Sequence, residues 1–290
     1  MEFLQPASWA EALELKAANP RAVPIQGGTD VMVELNFDRH RPPALLDLSR
    51  VGELGQWGAE DGHVRLGAGV SYSRVIAELG GQLPGLAMAA RTVGSPQIRN
   101  RGTVGGNLGA SSPAGDCHPV LLAVDADVAV GSVRGPRLVP VREFFTGVKR
   151  NVLAPDELIE AVLISPARGP QQFSKIGTRN AMVIAVAAFG LALHPARRHV
   201  GTGIGSAAPT PRRAPAAEAF IDGVLDSEGL WESREAIADA AATRFGDLVA
   251  SASSPIDDVR GTARYRAHAL SVLARRALVW AWDELRDRRP

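Results

Sequence analysis

The sequence predicts an α+β chain of two or three lobes, and three observations carry that reading. At 290 residues the chain exceeds one typical domain. Short β-branched runs recur between segments of helical period. Ser165-Pro-Ala-Arg-Gly-Pro170 then breaks the pattern where a domain boundary belongs.

Taken in order, Ser8 is placed to cap a helix with Trp9, Ala12, Leu13 and Ala17 on its apolar side, ending before Pro20. Ala22 to Gln26 reads as a strand, Gly27-Gly28-Thr29 as a turn, and Asp30 as the cap of a short helix from Val31 to Leu35. Strand, glycine turn and helix N-terminus form an arrangement that binds phosphate, although a plain tight turn reads the same way. Strands follow over 45–48 and 63–69. Ser71 caps a helix to Leu79, stopped by Gly80-Gly81, and a second helix runs over about 85–92. Residues 113–123 look helical, with Cys117, Val120 and Leu121 on one apolar face, so Cys117 reads as a core residue. Strands at 127–130, 137–141 and 158–164 enclose a helical turn that presents Phe144 and Phe145. Beyond the break, 171–177 and 182–193 are read as strands, and 214–221, 231–245 and 265–285 as helices. Arg264, Arg266, Arg275, Arg276 and Arg286 read as the solvated face of the last one.

The stretch from Arg99 to Asp116 stands apart. It is rich in glycine, carries the hydroxyls of Thr103, Ser111 and Ser112 and the acid Asp116, and has no lysine. Gly105 and Gly106 lack a Cβ and can take positive φ, so a ligand can approach the backbone there. Successive N–H groups in such a turn form an anion-binding nest. Thr103, Asn107 and Ser111 can bond phosphate oxygens, and Asp116 can accept from sugar hydroxyls. The composition suits a phosphate-bearing cofactor; a glycine-rich connecting loop is the alternative. Gly201-Thr-Gly-Ile-Gly205 imitates a dinucleotide fingerprint. Its third glycine comes one residue early and no helix opens after it, so it reads as a strand that permits close backbone approach.

Composition removes several classes. Thirty-two basic against 31 acidic residues leave a net charge of +1, which argues against a nucleic-acid partner. One cysteine allows neither an intrachain disulfide nor a cluster held by four thiolates. The six histidines lack paired-ligand spacing, so no metal site is expected. No apolar run approaches a membrane span and no signal peptide opens the chain, so a cytoplasmic location is expected. Without a GxSxG elbow or a P-loop lysine, the chemistry falls to a cofactor.

The pair Ile25-Gln-Gly-Gly-Thr-Asp30 and Thr103-Val-Gly-Gly-Asn-Leu-Gly-Ala-Ser-Ser-Pro-Ala-Gly-Asp116 resembles the FAD-binding medium subunit of molybdenum hydroxylases, the family of xanthine dehydrogenase and aerobic carbon monoxide dehydrogenase. The likeness continues through residues 153–158, 173–179, 205–212 and 260–266, so it is collinear over nearly the whole chain. It implies a two-lobed FAD-binding domain of the vanillyl-alcohol-oxidase (PCMH) type over 1–168, with a small lobe over about 1–55 and a larger one over about 56–168. A carbon monoxide dehydrogenase flavoprotein-type C-terminal α+β domain over 169–290 would follow.

By the same resemblance, Pro24, Ile25, Gln26, Gly27, Gly28, Thr29, Asp30 and Val31 would cradle the FAD diphosphate from the first loop, and Thr103, Val104, Gly105, Gly106 and Asn107 from the second. Ser111 would add a hydroxyl, Asp116 would bond the sugar or adjacent polar atoms, Ile159 would pack near the flavin or adenine, and Lys175 would be a polar contact in the cleft. No His or Cys lies between Pro24 and Asn36, so FAD would be bound non-covalently. The family reading makes the chain an electron-transfer oxidoreductase subunit. Electrons would arrive from the [2Fe–2S] clusters of a small partner subunit and leave to NAD, a quinone or oxygen. The molybdenum cofactor would sit in a large molybdopterin subunit, the whole forming a dimer of heterotrimers. The single cysteine excludes the inserted [4Fe–4S] site found in some relatives. A stand-alone flavin oxidase and a cofactor-free assembly protein are the alternatives.

Overall fold

A computed structural model describes residues 1–288. The chain opens with β1 (Glu2–Leu4), α1 (Trp9–Ala18), β2 (Val23–Ile25), α2 (Val31–Asn36) and β3 (Ala44–Asp47). These strands form a small parallel sheet in the order β1-β3-β2. Ser8 caps α1, its hydroxyl accepting from Glu11 N. Asp30 stands before α2 but makes no side-chain cap, contrary to the sequence reading.

A larger lobe follows with β4 (Trp57–Glu60), β5 (His63–Gly67), α3 (Tyr72–Glu78), α4 (Pro84–Thr92), α5 (Pro96–Arg101), α6 (Val104–Ala110) and α7 (His118–Ala123). It closes with β6 (Asp127–Ser132), β7 (Gly135–Pro140), α8 (Val141–Phe144), β8 (Phe145–Gly147), β9 (Arg150–Asn151) and β10 (Leu158–Ile164). Five of its strands make an antiparallel sheet, β4-β5-β10-β6-β7, and β8 and β9 form a separate hairpin. One apolar core runs through both lobes, from Ala12 and Leu46 to Leu66, Leu108, Val128 and Val162.

The remainder is β11 (Gln171–Ile176), β12 (Ala187–His194), β13 (His199–Gly205) and four helices, α9 (Pro215–Ser227), α10 (Leu230–Ser233), α11 (Asp239–Ser251) and α12 (Ala263–Asp287). The sheet order is β11-β12-β13. Strand β12 shows why periodicity alone could not separate strand from buried helix here. Ala187, Phe189, Leu191 and Leu193 join a second core beneath α12, while Ala188 and Ala192 join the first core. Both faces are buried, so the polar half of the alternation is missing.

The false fingerprint is resolved by the same sheet. Its glycines stand two apart on one face of β13, against α7. A Cβ on Gly203 would lie 2.6 Å from Pro119 Cα and overlap the Pro119 carbonyl oxygen, and one on Gly201 would overlap that of Ala123. These positions let a helix backbone rest directly on the strand.

Two sequence expectations fail in this region. The helix expected over 231–245 is broken into α10 and α11, with Arg234 at φ +56°. Side chains of α12 take the carbonyls released at the break: Trp282 Nε1 donates to Glu235 O at 2.7 Å and Arg286 Nε to Arg234 O at 2.9 Å. Arg266 is not part of a solvated face, being only 2% exposed. Its guanidinium donates to Val186 O and Ser206 O, each at 2.7 Å, and pairs with Asp258 at 2.6 Å.

The contact between α7 and β13 yields a test. Gly203→Ala should destabilise the chain by about 1–3 kcal/mol through overpacking, read as a lower denaturation midpoint in urea. An unchanged midpoint would show that the helix is not seated on the glycine face.

Candidate functional site

Both glycine loops lie at one end of the large sheet. In the first, Ile25 closes β2, Pro24 is exposed, and Gly28 takes φ +74°, which a side chain would resist. Among the described residues no acceptor takes the N–H of Gly27, Gly28, Thr29 or Asp30. Val31 then begins α2. In the second, Thr103 N-caps α6, its hydroxyl accepting from Gly106 N at 2.9 Å. This corrects the sequence reading: Gly105 and Gly106 lie inside a helix, neither at positive φ, and the stretch is a helix entry rather than an open loop.

The loops touch. A Cβ on Gly27 would overlap the Arg101 carbonyl oxygen at the turn into α6. A Cβ on Gly105 would fall 2.6 Å from Ala68 O, so the start of α6, with Val104 buried beside it, rests on the end of β5. A Cβ on Gly106, by contrast, would meet only the Thr103 hydroxyl, at 3.1 Å, and the residue faces solvent. Two buried side-chain oxygens at this junction have no partner, Gln26 Oε1 and Asn107 Oδ1. The Asn107 carbonyl is fixed by His118, whose Nε2 lies 3.1 Å away.

Other expected residues are drawn into the fold. Ser111 is buried at φ +48°, closing α6; its hydroxyl donates to Leu108 O at 2.6 Å and accepts from Asn151 Nδ2 at 2.9 Å. Its one proton is committed internally, so the phosphate-donor role expected for Ser111 does not fit its geometry. Ile159 lies in β10 beneath α6, its Cδ1 3.8 Å from where a Gly109 Cβ would stand.

Asp116 and Lys175 meet as an ion pair at 2.6 Å, each side chain only 8% exposed. Thr92 is held between them. Its hydroxyl shares one proton between Ala89 O at 2.8 Å and Asp116 Oδ2 at 3.2 Å, and its carbonyl accepts from Lys175 Nζ at 3.1 Å. The other Asp116 oxygen is buried without a partner. Burial pushes the Asp116 carboxyl above its ordinary pKa, against the pull of the Lys175 ammonium. Burial also raises the Cys117 thiol, which keeps it an inert core group, and lowers His118 to about 4. Thr92 and Ala68 were not singled out in the sequence, and His118 stood out there only as a neighbour of Cys117 that cannot face it. The run Gly67-Ala68-Gly69, ending a strand, was the available signal for the seat of α6.

Residues 1–167 match the FAD binding domain in molybdopterin dehydrogenase, and residues 172–281 match the CO dehydrogenase flavoprotein C-terminal domain. The chain belongs to this family of FAD-binding oxidoreductase subunits. The nicotine 6-hydroxylase medium subunit of Paenarthrobacter nicotinovorans is 30% identical over 97% of each chain. The nicotinate dehydrogenase FAD-subunit of Eubacterium barkeri is 34% identical over 66% of this chain and 68% of its own. The solved carbon monoxide dehydrogenase from Hydrogenophaga pseudoflava which lacks the Mo-pyranopterin moiety of the molybdenum cofactor superposes with a TM-score of 0.88. It is 27% identical and covered over 98% of both chains. The two-part α+β architecture expected from the sequence is the one found.

The junction fits the diphosphate of FAD. It offers the acceptor-free backbone N–H groups of Gly27, Gly28, Thr29 and Asp30 and an unobstructed face at Gly106. Charge-assisted bonds of this kind contribute roughly 1.5–3 kcal/mol each.

Two tests follow from the buried groups. Lys175→Met leaves the Asp116 charge buried and unpaired, which should cost about 3–5 kcal/mol. A raised folded pKa means the folded state takes up the proton first, so that deficit should shrink as pH falls. Adding Asp116→Asn should recover part of it in urea unfolding; a double variant as unstable as the single one would refute the pair's importance. His118 has the opposite sign. Its folded pKa lies below the ordinary value, so stability present above about pH 6.5 is lost as pH falls toward 4, by about 3 kcal/mol. His118→Gln can still donate to Asn107 but cannot titrate, and its stability should fall less steeply over that range. Equal slopes would count against the assignment.

Proposed function

We propose that the chain is the FAD-binding electron-transfer subunit of a heteromeric molybdenum hydroxylase. The observation that carries the reading is the meeting of two glycine-bearing helix entries, where Gly27 abuts Arg101 and Gly106 stands open. When bound, FAD supplies the redox chemistry, taking electrons from the [2Fe–2S] clusters of a partner subunit and giving them to an external acceptor such as NAD, a quinone or oxygen.

The chain's own part is to hold and orient the cofactor without a covalent bond. Gln26, Gly27, Gly28, Thr29 and Asp30 cradle the diphosphate from one side, continuous with Pro24, Ile25 and Val31. Thr103, Val104, Gly105, Gly106 and Asn107 cradle it from the other. The free backbone N–H groups are those of the first loop, and they stabilise the charge while leaving room for the ligand; the second loop contributes the open face at Gly106. Asp116 is pre-positioned by Thr92 and Lys175, and its unpartnered oxygen remains to accept from a cofactor hydroxyl. Lys175 acts through that carboxylate, and Ile159 supplies an apolar floor beneath α6.

The partners in this reading are a small [2Fe–2S] subunit and a large molybdopterin subunit, assembled as a dimer of heterotrimers. Names such as "medium subunit" and "medium chain" among the relatives support companions of other sizes. Among the described residues no helix is long and apolar enough to cross a membrane, and a cytoplasmic complex is the setting we propose.

Purified with its partners, the protein should show the visible absorption of oxidised flavin. Gly106→Val should abolish FAD retention while leaving the unfolding midpoint of the cofactor-free protein nearly unchanged, because a side chain at 106 meets little protein. Stoichiometric FAD in that variant would show that the diphosphate lies elsewhere.

A further inference from the structure

At the opposite end of the β5–β10 ladder from the glycine loops lies a cavity of about 260 Å³, between the two halves of the chain. The two ends are clearly separate. Val64 pairs with Ile164 beside the cavity and Gly67 with Ala161 beside the seat of α6, so strand length puts roughly 10 Å between the two pairs. The cavity is lined by His63 from β5, Arg168 from the connecting segment and His194 and Arg197 from the β12–β13 turn. No carboxylate lines it. The acid beside it, Asp125, already pairs with Arg197 at 3.0 Å and with Arg213. Arg168 has no ion pair among the described residues.

The walls are fixed. Ala167 N donates to Gln82 O at 2.8 Å and Leu193 N to Pro170 O at 2.9 Å. Gly169 packs so closely that a Cβ would fall 2.5 Å from Leu193 O. His194 is held by Ala123 O, 3.0 Å from its Nε2. Arg168 therefore projects from an anchored segment, which lowers the ordering cost of binding.

We infer that this cavity is a binding site for a small organic phosphate. Its phosphoryl group would be met by the guanidinium groups of Arg168 and Arg197, and its carbon body would lie along Pro166, Val124 and Leu193. Arg168 brings an unmatched positive charge and Arg197, which shares Asp125 with Arg213, adds N–H donors, and guanidinium geometry suits phosphate oxygens. The cavity has room for more than an inorganic ion, and its apolar wall gives that room a use. Such a site would let a phosphorylated metabolite bind across the joint between the two halves, away from the cofactor.

Isothermal titration of the purified FAD-containing complex tests this, with glycerol 3-phosphate, inorganic phosphate and glycerol as probes. Glycerol 3-phosphate should bind once per chain, about tenfold more tightly than inorganic phosphate, and glycerol should give no saturable heat. Arg168→Ala and Arg197→Ala should each weaken the ester about tenfold, with Arg168→Lys restoring part of the loss. Exposed and unpaired, Arg168 can be truncated without disturbing the fold, and Arg276→Ala on α12 should change nothing. Three results would overturn the proposal: no saturable binding of the ester, equal affinity for the ester and the free ion, or undiminished binding in Arg168→Ala. Flavin absorption is read on the same samples. A preparation without flavin but with arginine-dependent ester binding would defeat the cofactor reading alone.

Discussion

At Gly27, Gly105 and Gly203 the chain sets backbone against backbone at separations that any side chain would forbid, and the remaining architecture is arranged around these contacts. Gly27 brings the turn after β2 onto the entry to α6, Gly105 seats α6 on the end of β5, and Gly203 lets α7 lie on β13. The first two build the junction proposed to hold the cofactor, and the third joins the C-terminal sheet to the lobe carrying it. A Cβ at the first or third would overlap a carbonyl oxygen, and relieving that overlap means moving a whole element.

The same contacts explain the division of labour among the glycines. Gly27 and Gly105 face protein and create the shape, whereas Gly106 faces outward and leaves the approach open. The sequence shows these residues as one kind of feature. Only the packing separates the glycines that make room for the chain from the one that leaves open space in front of it.

Legibility in the sequence followed how local the physics was. Caps and breakers act within one turn, so Ser8, Ser71 and the break at Gly80-Gly81 placed their helices correctly. Short edge pairings such as β1 and β4 carry too few residues for a pattern, and they formed because a partner strand was present. The helix break at Arg234 was invisible because its cause lies some fifty residues away, in Trp282 and Arg286 of α12. Arg266 misled for the same reason: its acceptors Val186 and Ser206 come from the sheet. At the candidate site, the turn after β2 was readable from its glycines, whereas the second stretch, read as an open loop, is the entry to α6. The commitment of Ser111 to α6 and of Asp116 to Lys175 was not, because both depend on long-range partners.

The Asp116–Lys175 pair shows why a polar residue near a cofactor site need not be a free ligand. A buried pair seldom stabilises a fold more than apolar residues of the same size would, since desolvation offsets most of the attraction. Its value here is positional. Lys175 belongs to β11 and Asp116 to the segment before α7, and Thr92 at the end of α4 bonds to both. Three elements from both halves of the chain therefore converge on one carboxylate, and a shift of β11 would leave that charge buried without its partner. The pair thus couples the docking of the C-terminal sheet to the charge balance at the end of α4. The arrangement suits a protein that must hold one geometry while electrons, and no substrate atoms, pass through it.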